Sequence, residues 1–152
     1  MSKSLWGPPC WAMMHTLATR VKEEEFENVK ENLWFIINEI CNNLPCPECR
    51  QHAMSLMKRA NKFNILKTKN NLEVFLFDFH NLVNKQKGYR IFNQEDYNFK
   101  YKSIDIREVI INFFNIFNLS TRNNNLMMET FHRQRFIQKF MQWIQTNKTK
   151  FV

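Results

Sequence analysis

The chain is 152 residues long, 44% hydrophobic and 24% charged, with a formal net charge of +8, which fits one domain with a real core. Two glycines, Gly7 and Gly88, leave little material for hairpin turns and, with abundant Leu, Ile, Phe and Met, point to a mostly helical protein. The positive charge is dispersed as a solvated face rather than gathered into a Lys/Arg stripe interleaved with aromatics, which argues against nucleic-acid binding, and no leader or long uncharged apolar run points to secretion or a membrane span.

The segment Trp6-Gly7-Pro8-Pro9-Cys10-Trp11 reads as an opening turn, built on Gly7 and the prolines, that leads into a first helix. On that helix Trp11, Met14, His15 and Ala18 share one face. A second helix runs from Glu24 to Cys41, with acidic residues at its start and Phe26, Val29, Leu33, Ile36, Ile37 and Ile40 as its apolar stripe. After Asn42-Asn43-Leu44-Pro45 comes Cys46-Pro47-Glu48-Cys49, which opens a third helix marked by Ala53, Leu56, Met57 and Ala60. Pro47 suits its first turn, where the missing N–H had no partner to lose.

An Asn/Lys-rich loop over 61–71 precedes a fourth helix. Leu72, Phe75, Leu76, Phe79 and Val83 form its stripe, and Gly88 ends it. A short helical piece covers 94–101. Ile106, Val109, Ile110, Phe113 and Phe117 mark one more helix, a polar break spans 120–125, and a long last helix carries Ile137, Phe140, Met141 and Ile144 on one side. The expected architecture is all-α. Residues 1–102 form an antiparallel four-helix bundle plus a short fifth helix, with an interior that can house a cofactor. Residues 103–152 add two helices that dock on the bundle or mediate self-association.

Four cysteines are too few for a disulfide scaffold, but the spacing of Cys46 and Cys49 points to redox catalysis or metal. At a helix N-terminus, unpaired amides and the macrodipole favour a thiolate, the reactive species in thiol–disulfide exchange. Zinc would need four ligands, and beyond His52 and one distant histidine no second compact pair is present. A purely structural disulfide would close a small, accessible, reducible ring. A thioredoxin-like site would follow a strand, which no pattern here provides. A helical dithiol oxidoreductase fits the context and needs a two-electron acceptor such as a flavin, held without a GxGxxG loop. The competing class is a non-catalytic helical interaction module whose cysteine pair is a structural clip or zinc half-site.

His80, Val83 and Asn84 lie on one face of the fourth helix, with Asn81 about 100° round from His80. A lone buried histidine is usually a hydrogen-bonded core residue, and that reading applies to His80 and to His15 taken singly. Together they are polar groups on two bundle helices, which need partners if buried.

In this order, Trp-Gly-x-x-x-Trp-x-x-x-His (Trp6 to His15), Pro-Cys-x-x-Cys (Pro45 to Cys49) and His-Asn-x-Val-Asn-Lys (His80 to Lys85) resemble the Erv/ALR family of FAD-linked sulfhydryl oxidases. The resemblance covers roughly residues 5–101 and is closest in wording to members encoded by large DNA viruses. It implies a four-helix bundle with a short fifth helix, binding FAD at the bundle's mouth and working as a homodimer. By position it implies Gly7, Trp11 and His15 as a first FAD-contacting segment and Cys46 and Cys49 as the redox pair, with Cys49 beside the flavin and itself a cofactor contact. It further implies His80, Asn81, Val83, Asn84 and Lys85 as the FAD-contacting motif of the fourth helix. Phe75, where relatives usually carry tryptophan, and Tyr101 are implied as aromatic neighbours of the cofactor.

The implied activity passes electrons from a dithiol partner through the cysteine pair and FAD to O2, giving H2O2. Phe77 stands where many relatives begin a structural disulfide, and no separate shuttle pair is present. The electron donor is therefore expected to be an external dithiol protein, thioredoxin-like or a virion substrate. The expected place of action is the host cytoplasm at viral assembly sites, with packaging into the virion. Cys41 reads as a buried small hydrophobe, and the sequence leaves a Cys10–Cys41 disulfide open.

Overall fold

A computed structural model of the chain describes residues 2–122 and 127–152. Among them are eight α-helices: α1 (Lys3–Arg20), α2 (Phe26–Asn42), α3 (Pro47–Arg59), α4 (Lys62–Ile65), α5 (Lys69–Lys87), α6 (Gln94–Ser103), α7 (Ile106–Arg122) and α8 (Met127–Asn147). The expected all-α architecture is borne out, and no described helix is long and apolar enough to cross a membrane.

Helix α1 is the axis of the molecule. It packs against α2, α5 and α6 and, most extensively, along α7. The consecutive run Met13–Thr19 is buried, as a helix covered on all sides must be. The sequence stripe through Trp11, Met14, His15 and Ala18 is therefore only one of its packed faces.

The opening turn is corrected. Gly7, Pro8 and Pro9 lie inside α1, which begins at Lys3. Each proline removes one helical bond, and the carbonyls left over are those of Ser4 and Leu5, four residues back. Both residues are exposed in the first turn, where water takes the place of the missing amides. The prolines therefore cost less than they would in mid-helix.

The other boundaries have local causes. α3 is capped by Cys46, whose Sγ accepts from the Cys49 amide at 3.2 Å, with Pro47 in the first helical positions. The 61–71 loop contains the four-residue α4, and α5 already starts at Lys69, because Thr68 caps it by accepting from the Asn71 amide at 3.0 Å. Gly88, at φ 74°, ends α5 in the left-handed region, and Tyr89 donates back to the Asn84 carbonyl at 2.8 Å. Asn93 caps α6 through the Asp96 amide at 2.8 Å.

Helix α7 continues to Arg122, through the first part of the expected polar break, and residues 123–125 of that break lie outside the described residues. Phe113, Phe114, Phe117, Phe136 and Phe140 interlock between α7 and α8, with Phe113 and Phe117 stacked at 4.4 Å. The end of the chain returns to the end of α1. Lys22 donates to the Lys150 carbonyl at 2.8 Å, Val152 to that of Arg20 at 2.7 Å, and the Arg20 guanidinium to the carbonyls of Ile104 and Val152.

Candidate functional site

A cavity of about 390 Å³ opens between α1, α3 and α5, within the ~300–1,000 Å³ usual for small-molecule sites. Its walls are mainly apolar: Trp6, Trp11 and Met14 from α1, Ala53 and Leu56 from α3, Phe79 and Val83 from α5. Cys49 lines it, and Lys3, Arg59 and Lys87 give its rim a positive field that favours an anionic ligand. Gly7 also lines it. A Cβ at Gly7 would meet only Lys3 Cγ, at 3.7 Å, although the residue is buried. The space beside this glycine is therefore the cavity, and packing alone does not require glycine there.

The two cysteines that open α3 differ. Cys46 does not line the cavity; it caps α3 and is partly buried. Burial pushes its thiol up, but hydrogen bonds from Cys49, side chain and amide, and from the Glu48 amide outweigh that, and the net is below the ordinary value. Burial and the bonded, charged Cys46 sulfur push Cys49 up to about 11, against the pull of Lys3 and Lys87. Of two thiols three residues apart, the one outside the cavity is the more easily ionised.

Behind Trp11 lies a stacked polar cluster. The His80 ring lies parallel to Trp11 at 4.1 Å and that of His15 at 5.6 Å. His15 Nε2 and His80 Nδ1 are 2.9 Å apart, and the Tyr97 hydroxyl meets His15 Nδ1. Burial, then neighbouring charge, holds His15 well below its ordinary value and His80 down at about 4. Two neutral imidazoles and a phenol therefore form one chain of hydrogen bonds. Tyr101 tilts onto His15 at 4.6 Å without lining the cavity.

The remaining predicted residues fall in three places. Asn84 is buried outside the cavity lining, next to Val83 of its wall, and its Nδ2 has no hydrogen-bond partner among the described residues. Asn81 is committed to the loop after α5: its side chain donates to the Phe92 carbonyl and accepts from the Phe92 amide, both at 3.0 Å. Phe75 packs between Trp34 and Phe79, one layer behind the cavity wall, and Lys85 is exposed and outside the lining. Cys10 and Cys41 are free, buried and line the same cavity. Sequence reasoning missed Tyr97 and the cavity-facing position of these two cysteines. The only signal for Tyr97 was its spacing of four from Tyr101, which puts both on one face of α6.

The donor set does not suit zinc: among the described residues no three His, Cys, Asp or Glu side chains converge to hold a metal ion. A largely apolar, aromatic-walled slot fits instead, with one open glycine and basic groups among its lining, and these features suit the ring and phosphates of a flavin nucleotide.

Residues 8–104 match the Erv1/Alr family. The chain is 32% identical over 108 residues to the FAD-linked sulfhydryl oxidase of African swine fever virus isolate Pig/Kenya/KEN-50/1950, covering 68% of this chain and 86% of that protein. It is 35% identical over 96 residues to the same-named protein of isolate Tick/Malawi/Lil 20-1/1983, covering 60% and 76%. An Invertebrate iridescent virus 3 protein bearing the name of a FAD-linked sulfhydryl oxidase is 31% identical over 80 residues, 53% of this chain and about half, 54%, of its own length. No solved structure matches. By its matched bundle and by relatives aligned over most of their length, the chain belongs to the Erv1/Alr family.

Proposed function

We propose that this protein is an FAD-dependent thiol oxidase that converts a partner's dithiol into a disulfide through Cys46 and Cys49. The observation that carries the reading is the cavity wall on which Cys49 stands with Gly7, Trp11 and Val83, while Cys46 stands outside it. The names of the viral relatives supply the cofactor. Gly7, Trp11 and Val83 would hold the flavin, with Asn84 and the His15–His80 pair supporting it. When bound, FAD supplies a two-electron acceptor that dioxygen reoxidises, giving hydrogen peroxide.

The chain's own part is thiol–disulfide exchange. A partner thiolate attacks Cys46 of the oxidised pair, forming a partner–Cys46 disulfide and expelling Cys49 as thiolate. The partner's second thiol then attacks its own mixed-disulfide sulfur, releasing the oxidised partner and Cys46 as thiolate. The partner loses two electrons and two protons, and the cysteine pair gains the electrons. In the mixed disulfide Cys46 carries no charge, which removes part of what raises Cys49 and leaves Lys3 and Lys87 to favour its thiolate. The easily ionised Cys46 is in turn a good leaving group in the second exchange.

By the same resemblance we assign the donor to an external dithiol protein or virion protein, the working state to a homodimer, and the place of action to the host cytoplasm at viral assembly sites. The purified protein is expected to be yellow, with flavin absorbance, and to consume oxygen when given dithiothreitol. Cys49→Ser should keep the colour and lose turnover. A colourless protein that consumes no oxygen even with added FAD would overturn the reading.

A further inference from the structure

The loop that delivers Cys46 is tied from two sides by guanidinium groups. Helix α2 ends at Asn42, so the carbonyls just beyond it have no helical amide to accept from. Arg133 of α8, 2% exposed, donates from Nε to the Asn43 carbonyl at 3.1 Å. Arg50 of α3, the residue after Cys49, donates from Nη1 to the Leu44 carbonyl at 3.0 Å. Glu129 of α8 takes up the Arg50 fork, with Nη2–Oε1 at 2.8 Å and Nη1–Oε2 at 3.3 Å. Asn43 is itself buried and anchors the loop to α2 through the Glu39 carbonyl at 2.7 Å.

A bidentate Arg–carboxylate pair fixes orientation as well as distance, which a single ammonium does not. Arg133 and Glu129 both come from beyond residue 104, outside the family match. This chain has thus brought its C-terminal helix against the loop between α2 and the redox helix. The last link of that loop is the cap itself, Cys46 Sγ at 3.2 Å from the Cys49 amide.

We propose that Glu129 and Arg133 are positioning residues for the redox pair: by fixing the Asn43 and Leu44 carbonyls, through Arg133 directly and through Arg50, α8 keeps the Cys46 sulfur on the Cys49 amide and so sets the reactivity of the partner-facing thiol. Its link to catalysis rests on the thiol-oxidase reading; its link to Cys46 reactivity does not.

The charged and titratable groups around the pair are Glu48, Arg50, His52 and Arg59 on α3, Lys3 on α1, Lys87 on α5 and, one step out, Glu129 and Arg133 on α8. Among these, Glu129 separates field from position. Neutralising it by Glu129→Gln removes a negative charge, which by Coulomb's law alone would lower the Cys46 thiol's pKa. Losing the brace frees the loop and weakens the cap, which raises it.

The test labels the reduced, full-length protein with iodoacetamide over a pH series and reads Cys46 by peptide mass. In Glu129→Gln the labelling midpoint should move up in pH, and the rate below it should fall on the order of 3- to 10-fold, the worth of a weakened hydrogen bond to a charged sulfur. Arg133→Gln should move it the same way, and Arg133→Lys, which keeps one donor, should recover part of the shift. A folded Glu129→Gln whose midpoint is unchanged or lowered overturns the proposal. Should the buried Arg133 variants fail to fold, the partly exposed Glu129 decides alone. Labelling needs neither flavin nor oxygen. A wild type without oxidase activity whose variants still shift would defeat the oxidase reading and keep the brace; an active wild type whose variants do not shift would do the reverse.

Discussion

Two pairs of cysteines, three of whose members line one cavity, differ in burial and in ease of ionisation. Cys46 and Cys49 open α3, partly exposed, where a capping amide lowers the first and the cavity holds the second. Cys10 and Cys41 sit inside α1 and α2, fully buried, with Cys41 pushed up to about 12 by burial and Cys10 raised by burial and by Cys41 beside it. Cys10, Cys41 and Cys49 all line the same space. Of the four thiols only Cys46, which caps α3 and stands outside the cavity, is held below its ordinary value, while the three that line the cavity are raised.

The sharpest way to break that comparison is substitution. Cys46→Ser and Cys49→Ser should each reduce dithiol-driven oxygen consumption to background, whereas Cys10→Ala and Cys41→Ala should retain most of the turnover. Equal losses from all four variants would show that the pairs act together. The cost of Cys10→Ala or Cys41→Ala should appear as stability, on the order of 1 kcal/mol for a small buried group, read from thermal unfolding.

The next effect concerns the neutral cluster behind Trp11. His80 titrates near 4 in the folded protein against an ordinary 6.5, so the unfolded chain binds the extra proton first on acidification. Its stabilising contribution is complete above about pH 6.5 and is lost as pH falls towards 4, up to about 3 kcal/mol, with His15 adding in the same direction. Denaturant midpoints measured across this window should fall with pH in the wild type and less steeply in His80→Phe. The buried thiols act at the other end. Raised folded values make their neutral forms stabilising below the ordinary thiol range, and that stability drains away as pH rises from about 9 towards 12.

Smaller effects separate the cavity from the core. Asn84→Leu removes an unpartnered buried donor, whose desolvation costs about 1–3 kcal/mol. The flavin-free protein should become no less stable, while flavin content after purification falls. Gly7→Ala should raise the thermal stability of the flavin-free protein by about 0.5–1 kcal/mol, because glycine inside a helix is unfavourable, and should lower flavin retention by narrowing the cavity. If Gly7→Ala retains full flavin, the space beside Gly7 is not where the cofactor sits.

Much of this was legible from local pattern. The stripes of α2 and α5, the cap at Cys46 and the stop at Gly88 depend on spacings of four residues or fewer, and each is where the sequence put it. The opening turn was misjudged because prolines normally break helices, and only the exposure of Ser4 and Leu5 shows why these do not. The all-round burial of α1 depends on α7, far along the chain, and no periodicity within α1 reports a distant cover. Tyr97 and the Arg133 contact to Asn43 have the same character: 82 and 90 residues separate the partners. For the site itself, motif order identified Cys49, Gly7, Trp11 and Val83 as neighbours of one space. It could not show that Asn81 is spent on the Phe92 backbone or that Lys85 faces solvent.

The partnership of α1 with α7 also sets an order on synthesis. Helix α1 leaves the ribosome before α2, α5, α6 and α7, which cover it, and its most extensive neighbour, α7, begins only at Ile106. At translation rates of roughly 5–20 residues per second, α1 waits about 5–20 seconds for that cover. During the interval the face of α1 that α7 covers is open to transient contacts or to chaperones. A nascent chain halted before α7 should therefore be more readily captured by a holdase, and more readily cleaved, than one halted after it.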